Sequence, residues 1–175
     1  MKNNTSVQYS CPLREGSREM GDELSARIDR LDSRHEIEAL VSNYCHGFDK
    51  RDFERFLSIW WQDCVWKIGP PFGDFGGHEG IHEAIHQVLW PAWTQSQHVT
   101  SNLVIEFNGA DDATGICDVD CMGLLTDSSE ATFVGATYRD HFQRREGAWK
   151  ILERKVSIHY FNRFPGTTLS APKAE

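Results

Sequence analysis

Residues 97–107 read QHVTSNLVIEF, in which Val99, Leu103, Ile105 and Phe107 fall on one face of an extended chain and His98, Thr100 and Asn102 on the other. Alternation of this kind marks a half-buried β-strand, because successive side chains of a strand point to opposite sides. Three further strand-like runs follow at 113–125, 131–145 and 148–161, separated by the turn-rich segments NGADD, TDSSE and REG. Connections that short join antiparallel neighbours, so the C-terminal half is expected to be a meander of long strands.

Upstream the period changes. Leu24, Ile28, Leu31, Ile37, Leu40, Val41, Tyr44 and Cys45 recur at helical steps behind Asp22, an N-cap residue type, so one long amphipathic helix is expected, ended by Gly47. Residues 1–22 have no period and read as a loose arm. A short helix is expected over 49–57, a strand through SIWWQDCVWKIGPP, a loop or lid at 70–77, and a helix over 77–90 stopped by Pro91. A tail at 164–175, with Pro165 and Pro172, reads as extended. Helix, helix, strand, helix and meander make an α+β protein: one domain over 23–163 in which a curved, mostly antiparallel sheet wraps helices and encloses a cavity.

The 175 residues carry 18 Lys and Arg against 26 Asp and Glu, a net charge of -8 without any basic cluster, which argues against a nucleic acid partner. No apolar run approaches the roughly 20 residues of a membrane span, and the N-terminus lacks the apolar core of a signal peptide, so a cytoplasmic protein is expected. The five cysteines are odd in number without a CxxC pair and read as reduced, mostly buried thiols.

Four constellations could carry chemistry. Asp49 at the helix end and His98 at a strand start could form a carboxylate-oriented general base, with Tyr44 nearby; the alternative is that Asp49 caps the next helix and His98 is structural. His78, His82 and His86 give two overlapping HExxH matches with Glu106 as a distant third ligand, but Leu89 and Ala92 stand where the extended zinc motif needs glycine and histidine, so the helix is read as a solvated face and no metal is expected. Arg154 could position a carbonyl or stabilise developing negative charge, or pair with Glu153 or Asp140. The aromatic supply exceeds what a core this size needs, and suggests a pocket for a small, largely apolar cyclic or aromatic substrate. Trp66, Phe72, Trp90, Tyr138, His159 and Phe161 are the candidate substrate-binding residues.

FDKR (48–51), SIWWQD (58–63), VLWP (88–91), HVTSNLVIEF (98–107), RREGAWK (144–150) and Tyr160-Phe161 occur in an order that resembles the SnoaL-like branch of the nuclear transport factor 2-like superfamily. Within it the chain is most similar to the lindane dehydrochlorinases, and more distantly to scytalone and bile acid 7α-dehydratases. The resemblance implies a cone-shaped α+β barrel, a homo-oligomer with a trimer favoured over a dimer, and no metal or organic cofactor. It also implies a catalytic His held by an Asp, at His98 and Asp49, and a pocket arginine at Arg154. One position departs: the dehydrochlorinases carry a lysine near the end of the first helix, where this chain has Tyr44, as the bile acid dehydratases do.

The function expected from these readings is a cofactor-independent lyase in which His98, oriented by Asp49, removes a proton. Tyr44 and Arg154 would assist loss of water, with HCl as the less favoured leaving group. A formaldehyde-releasing retro-aldol lyase acting on an aryl diol, or an isomerase, would use the same groups. A ligand-binding module or a scaffold like the β-subunit of ring-hydroxylating dioxygenases is the non-enzymatic alternative.

Overall fold

The computed structural model describes residues 12–170, with side chains from Met20 onward. Helix α1 spans Pro12–Asp49, α2 Phe53–Ser58, β1 Trp60–Gly69 and β2 Gly73–Gly76. Helix α3, Gly77–Glu83, continues with a wider π-type winding over Ala84–Leu89 and a last turn, α4, Trp90–Ala92. Strands β3 Trp93–Phe107, β4 Asp112–Leu125, β5 Ala131–Arg145 and β6 Ala148–Phe164 complete the chain. The expected meander is present, and its antiparallel β3–β6 ladder joins β1 in parallel through β6, giving the open mixed sheet β2-β1-β6-β5-β4-β3. This is the α+β cone, open rather than closed, with the helices against the concave face.

Several boundaries differ from the sequence reading for local reasons. Helix α1 is already formed at Pro12, the first described residue, rather than starting near Asp22, so residues 12–22 of the expected arm are helical. Residues 1–11 of that arm and 171–175 of the tail lie outside the described residues. The helix also runs through Gly47 to Asp49. Gly47 is there because α2 crosses against it: a Cβ at this position would lie 2.8 Å from the Phe56 backbone. Asp52, not Asp49, caps α2, its carboxylate accepting the Arg55 N–H. Asp49 is thereby left for other use. Half of the 70–77 loop is β2, a short edge strand hydrogen-bonded to β1. β6 extends through Phe164, and the tail beyond it is tied back where the Ala131 N–H donates to the Thr167 carbonyl at 2.7 Å.

The amphipathic reading of α1 holds only in part. Ile37, Leu40, Val41, Tyr44, Cys45 and Phe48 are buried against the sheet and α2. Leu24, Ile28 and Leu31 are exposed, because the six-residue step from Leu31 to Ile37 moves the apolar positions to another side of a 3.6-residue helix.

Strand β3 contains the second departure. Its pairing with β4 slips between Ser101 and Val104, where Asn102 takes a positive φ of 56°. A bulge flips the facing of everything beyond it. His98 and Ile105 therefore both face inward, whereas Val99 and Val104 lie on the outer surface, 56% and 52% exposed. Simple alternation had placed Val99 with Ile105 and opposite His98.

Candidate active site

The last turn of α1 carries Asp49 to the start of β3. Its Oδ1 lies 2.7 Å from His98 Nδ1 and accepts the Ser96 hydroxyl at 2.7 Å, while Oδ2 accepts the His98 backbone N–H at 2.7 Å. Both side chains are more than nine-tenths buried. An ionised carboxylate accepts only, so Asp49 holds a proton on Nδ1, and in the neutral ring the nitrogen free to accept is Nε2. Burial pushes the Asp49 carboxyl up, but the bonds and charge supplied by His98, with the Ser96 hydroxyl, outweigh it and hold the group below the usual carboxylate range.

A carboxyl whose pKa is lower folded than unfolded stabilises the fold at neutral pH, and that contribution is lost as pH falls through the depressed value. Replacing Asp49 by Asn is expected to flatten the acid side of the stability curve, measured by urea unfolding between neutral pH and about pH 3. An unchanged acid dependence would show that this carboxyl titrates alike in both states.

His98 opens on an apolar cavity of about 80 Å³, in which Trp66 and Phe72 face Tyr138, Val119, Ile158 and Phe161. Tyr44 and Phe48 of α1 line it with His98: the Tyr44 and His98 rings meet edge-on at 6.1 Å, and Phe48 and His98 at 5.0 Å. Phe161 is the most exposed lining residue and stacks toward Phe72 at 6.1 Å and Trp93 at 6.2 Å. The indole N–H of Trp66 has no hydrogen-bond partner among the described residues. Cys121 also lines the cavity, but burial pushes its thiol up to about 12, which leaves it an apolar wall rather than a thiolate nucleophile.

Behind the two phenols sits Arg154. Its guanidinium carbon lies 4.2 Å from the ring centroids of both Tyr44 and Tyr138, whose rings are 5.4 Å apart. Nε and Nη2 each donate to one Asp140 carboxylate oxygen at 2.7 Å, a bidentate pair with no exposure. Burial alone would lower the guanidinium, but Asp140 outweighs it and Arg154 stays charged. Burial pushes the Tyr44 phenol up, and the Arg154 cation beside it pulls back.

Of the expected substrate-binding residues, Trp66, Phe72, Tyr138 and Phe161 line the cavity. Trp90 does not. The π-type winding before it turns Leu89 inward, and the Trp90 indole N–H donates to the Phe48 carbonyl at 3.1 Å beside His86. His159 does not line it either. It is the extra residue where β6 pairs Ala136 with Ile158 but Gly135 with Tyr160, and it lies against the Thr137 hydroxyl at 2.8 Å, outside the cavity. Arg154 makes no part of the cavity wall, so any action on a ligand passes through Tyr44 or Tyr138.

Ser96, Trp93 and Asp140 were missed as site residues. A hydroxyl two residues before the histidine was the only local signal for Ser96. Asp140 was read only as an ordinary surface partner of Arg154. Of the HExxH residues, the His82 and His86 rings stack at 4.4 Å under Phe53, and His78 Nε2 lies 3.1 Å from the Trp60 carbonyl. Glu106 faces an outer groove of the sheet with Arg139. Among the described residues no three His, Cys, Asp or Glu side chains are grouped to hold a metal ion. Cys45, Cys64, Cys117 and Cys121 are unpaired and buried, and no described helix is long and apolar enough to cross a membrane.

These features define a class: a small α+β protein whose open, curved sheet and first helix bring a carboxylate-held imidazole to the wall of an apolar cavity. The profile of the SnoaL-like domain matches residues 29–155. The chain belongs to the SnoaL-like domain family. It is similar to hexachlorocyclohexane dehydrochlorinase 1 of Sphingobium indicum, 37% identical over 147 residues that cover 84% of this chain and 95% of the relative. The crystal structure of LinA matches with a TM-score of 0.81 at 35% identity, over 84% of this chain and 99% of that one. A scytalone dehydratase-like protein of Novosphingobium aromaticivorans shares the fold, with a TM-score of 0.71 at 19% identity over 85% of this chain and 99% of that one.

Proposed function

We propose that this protein is a lyase that eliminates a small molecule from a cyclic or aromatic, largely apolar substrate, with His98 as the base. The observation that carries the reading is the 2.7 Å contact between Asp49 Oδ1 and His98 Nδ1 at the edge of the apolar cavity. A base needs an unprotonated nitrogen facing the substrate and a partner that stabilises the imidazolium once it forms. The dehydrochlorinase activity of the relatives supports elimination as the reaction class.

Water is the proposed leaving group, with HCl second. His98 Nε2 takes a proton from carbon, the C–H electrons form the new double bond, and the C–O bond breaks. The departing oxygen takes the Tyr44 proton and leaves as water; the phenolate left behind sits against Arg154, and the His98 proton returns to it through solvent. A chloride leaves without protonation, so a phenol at Tyr44 has a use in dehydration that it lacks in dehydrochlorination. The same phenol, kept protonated by its burial, can donate to a substrate oxygen throughout the ordinary pH range.

The test is turnover of hydroxylated, halogenated and aryl-diol cyclic compounds by the purified chain, with mass-spectrometric detection of the lost water, HCl or formaldehyde. Tyr44→Phe is expected to lower kcat roughly a hundredfold on a hydroxylated substrate while changing chloride elimination only a few fold. Equal losses on both would remove dehydration from the proposal. Unchanged turnover by a His98 variant would remove the base.

A further inference from the structure

The turn that ends α1 carries an arginine where its backbone favours glycine. The Asp52 N–H donates to the Gly47 carbonyl at 2.9 Å and the Arg51 N–H to the Phe48 carbonyl at 3.3 Å. These two bonds make the Schellman closure of a helix, whose left-handed residue is most often glycine. Here that residue is Arg51, with a φ of 56°. A side chain there costs backbone energy that glycine avoids, and a residue kept in that conformation points to a use for its side chain.

The use is visible. Nη1 and Nη2 of Arg51 each donate to the Trp90 carbonyl at 3.3 Å, and Nη2 also donates to the Trp93 carbonyl. The last carbonyls of a helix have no partners within it. The two that lie between Trp90 and Trp93 are taken by Thr126, whose hydroxyl donates to Pro91 at 2.7 Å and whose N–H donates to Ala92 at 2.9 Å. The corner where α4 becomes β3 is therefore tied to the end of α1 by Arg51. The tie runs both ways, because the Trp90 indole N–H donates to the Phe48 carbonyl at 3.1 Å and the guanidinium carbon lies 5.7 Å from the Trp90 ring centroid.

We infer that Arg51 is a positioning residue for the Asp49–His98 pair, an inference whose catalytic part rests on His98 being the proposed base. Asp49 stands two residues before Arg51, while Ser96 and His98 stand three and five residues after Trp93. Arg51 thus fixes the end of α1 against the start of β3, the two segments that must keep Asp49 Oδ1 at 2.7 Å from both the Ser96 hydroxyl and His98 Nδ1. A cleft of about 160 Å³, bounded by Asp49, Arg51, Trp90 and Ser96 among others, lies between these segments, so hydrogen bonds rather than close packing set their spacing there. Arg51 does not line the apolar cavity, so it acts through Asp49 and not on a ligand. A residue that only closed a helix would move stability when replaced; a positioning residue moves the geometry of the pair.

The test is Arg51→Gly in the full chain, which relaxes the backbone and removes the clamp, so that stability and site geometry part. Urea unfolding should keep a midpoint near that of the wild type, since the relief at the turn offsets the lost hydrogen bonds. In protein labelled at its histidine ring nitrogens, NMR of the wild type should show one His98 tautomer with a hydrogen-bonded Nδ1 proton, assigned by its absence from Asp49→Asn. In Arg51→Gly that signal should broaden or vanish. On the substrate turned over, kcat should fall about a hundredfold with KM changed only a few fold. Guanidinium well below denaturing concentration, entering the cleft that Arg51 vacates, should restore part of both. Arg51→Lys returns one cationic donor to the same carbonyls and should lie between the two, and it carries the comparison if the glycine variant does not fold.

An unchanged His98 ring signal in Arg51→Gly overturns the inference. So does a fall in turnover that follows KM or the unfolded fraction, or failure of both variants to fold, which makes Arg51 a folding residue. The ring signal needs no substrate, so it stays separate from the proposed chemistry. If His98→Ala kept full turnover, the base would fail, while loss of the signal in Arg51→Gly would still assign the positioning of the pair to Arg51.

Discussion

Replacing His98 by alanine is expected to lower kcat/KM by about 10² to 10⁴ on whichever cyclic substrate is turned over, the range a positioned general base supplies. By transition-state arithmetic that is about 3 to 5 kcal/mol of lost stabilisation. The fall should lie mainly in kcat, because the cavity walls proposed to bind the substrate, Trp66, Phe72 and Phe161 among them, are untouched. The reason to expect a large value is the completeness of the carboxylate's bonding. Asp49 accepts from the His98 ring, the His98 backbone and the Ser96 hydroxyl, so the ring is held at both ends of one residue.

Asp49→Asn gives the same argument a second readout. Its amide must either turn NH₂ toward the His98 backbone donor or toward Nδ1, and in the second case the ring proton moves to Nε2, where a base cannot have it. Both variants should unfold cooperatively with near-native circular dichroism. If His98→Ala keeps wild-type turnover, the imidazole is structural and the proposed chemistry fails.

The largest effect on stability is expected from Asp140→Asn. The pair with Arg154 is fully buried and bidentate, with the guanidinium between two phenol rings. Neutralising one partner leaves a buried cation uncompensated, a loss of about 3–5 kcal/mol. For a domain of this size, that corresponds to a fall in Tm of about 10 °C, read by calorimetry. Because Asn nearly matches the shape of Asp, no cavity contributes. Replacing both members by apolar residues, Arg154→Met with Asp140→Leu, should recover much of the stability, since the desolvation of both charges is then avoided. Activity should stay low in that double variant, because the cation beside Tyr44 is gone. Recovery of stability and activity together would mean that Arg154 only fills space.

The two largest effects thus separate the roles of neighbouring residues. His98 faces the cavity and is the proposed base for what enters it. Arg154 is sealed behind Tyr44 and Tyr138 and can act only by positioning them and by stabilising charge on a phenol.

The sequence by itself determined the strand meander, the helical start and the α+β class, because these rest on local terms: alternation, helical spacing and turn residues at 108–112, 126–130 and 145–147. Asp49 and His98 could be named as a candidate pair from their places at a helix end and a strand start, and the resemblance to a known family favoured the pair over the structural alternative. What only the tertiary structure decided follows from small changes of phase. The bulge at Asn102 turned Val99 outward, the π-type winding swapped Leu89 for Trp90 at the cavity, and the irregularity opposite His159 took that ring off the wall. A one-residue slip reverses the facing of every side chain beyond it while leaving composition and period nearly untouched. The Arg154–Asp140 pairing and the outward stripe of α1 likewise depend on which surfaces meet across the fold, and no spacing along the chain encodes that.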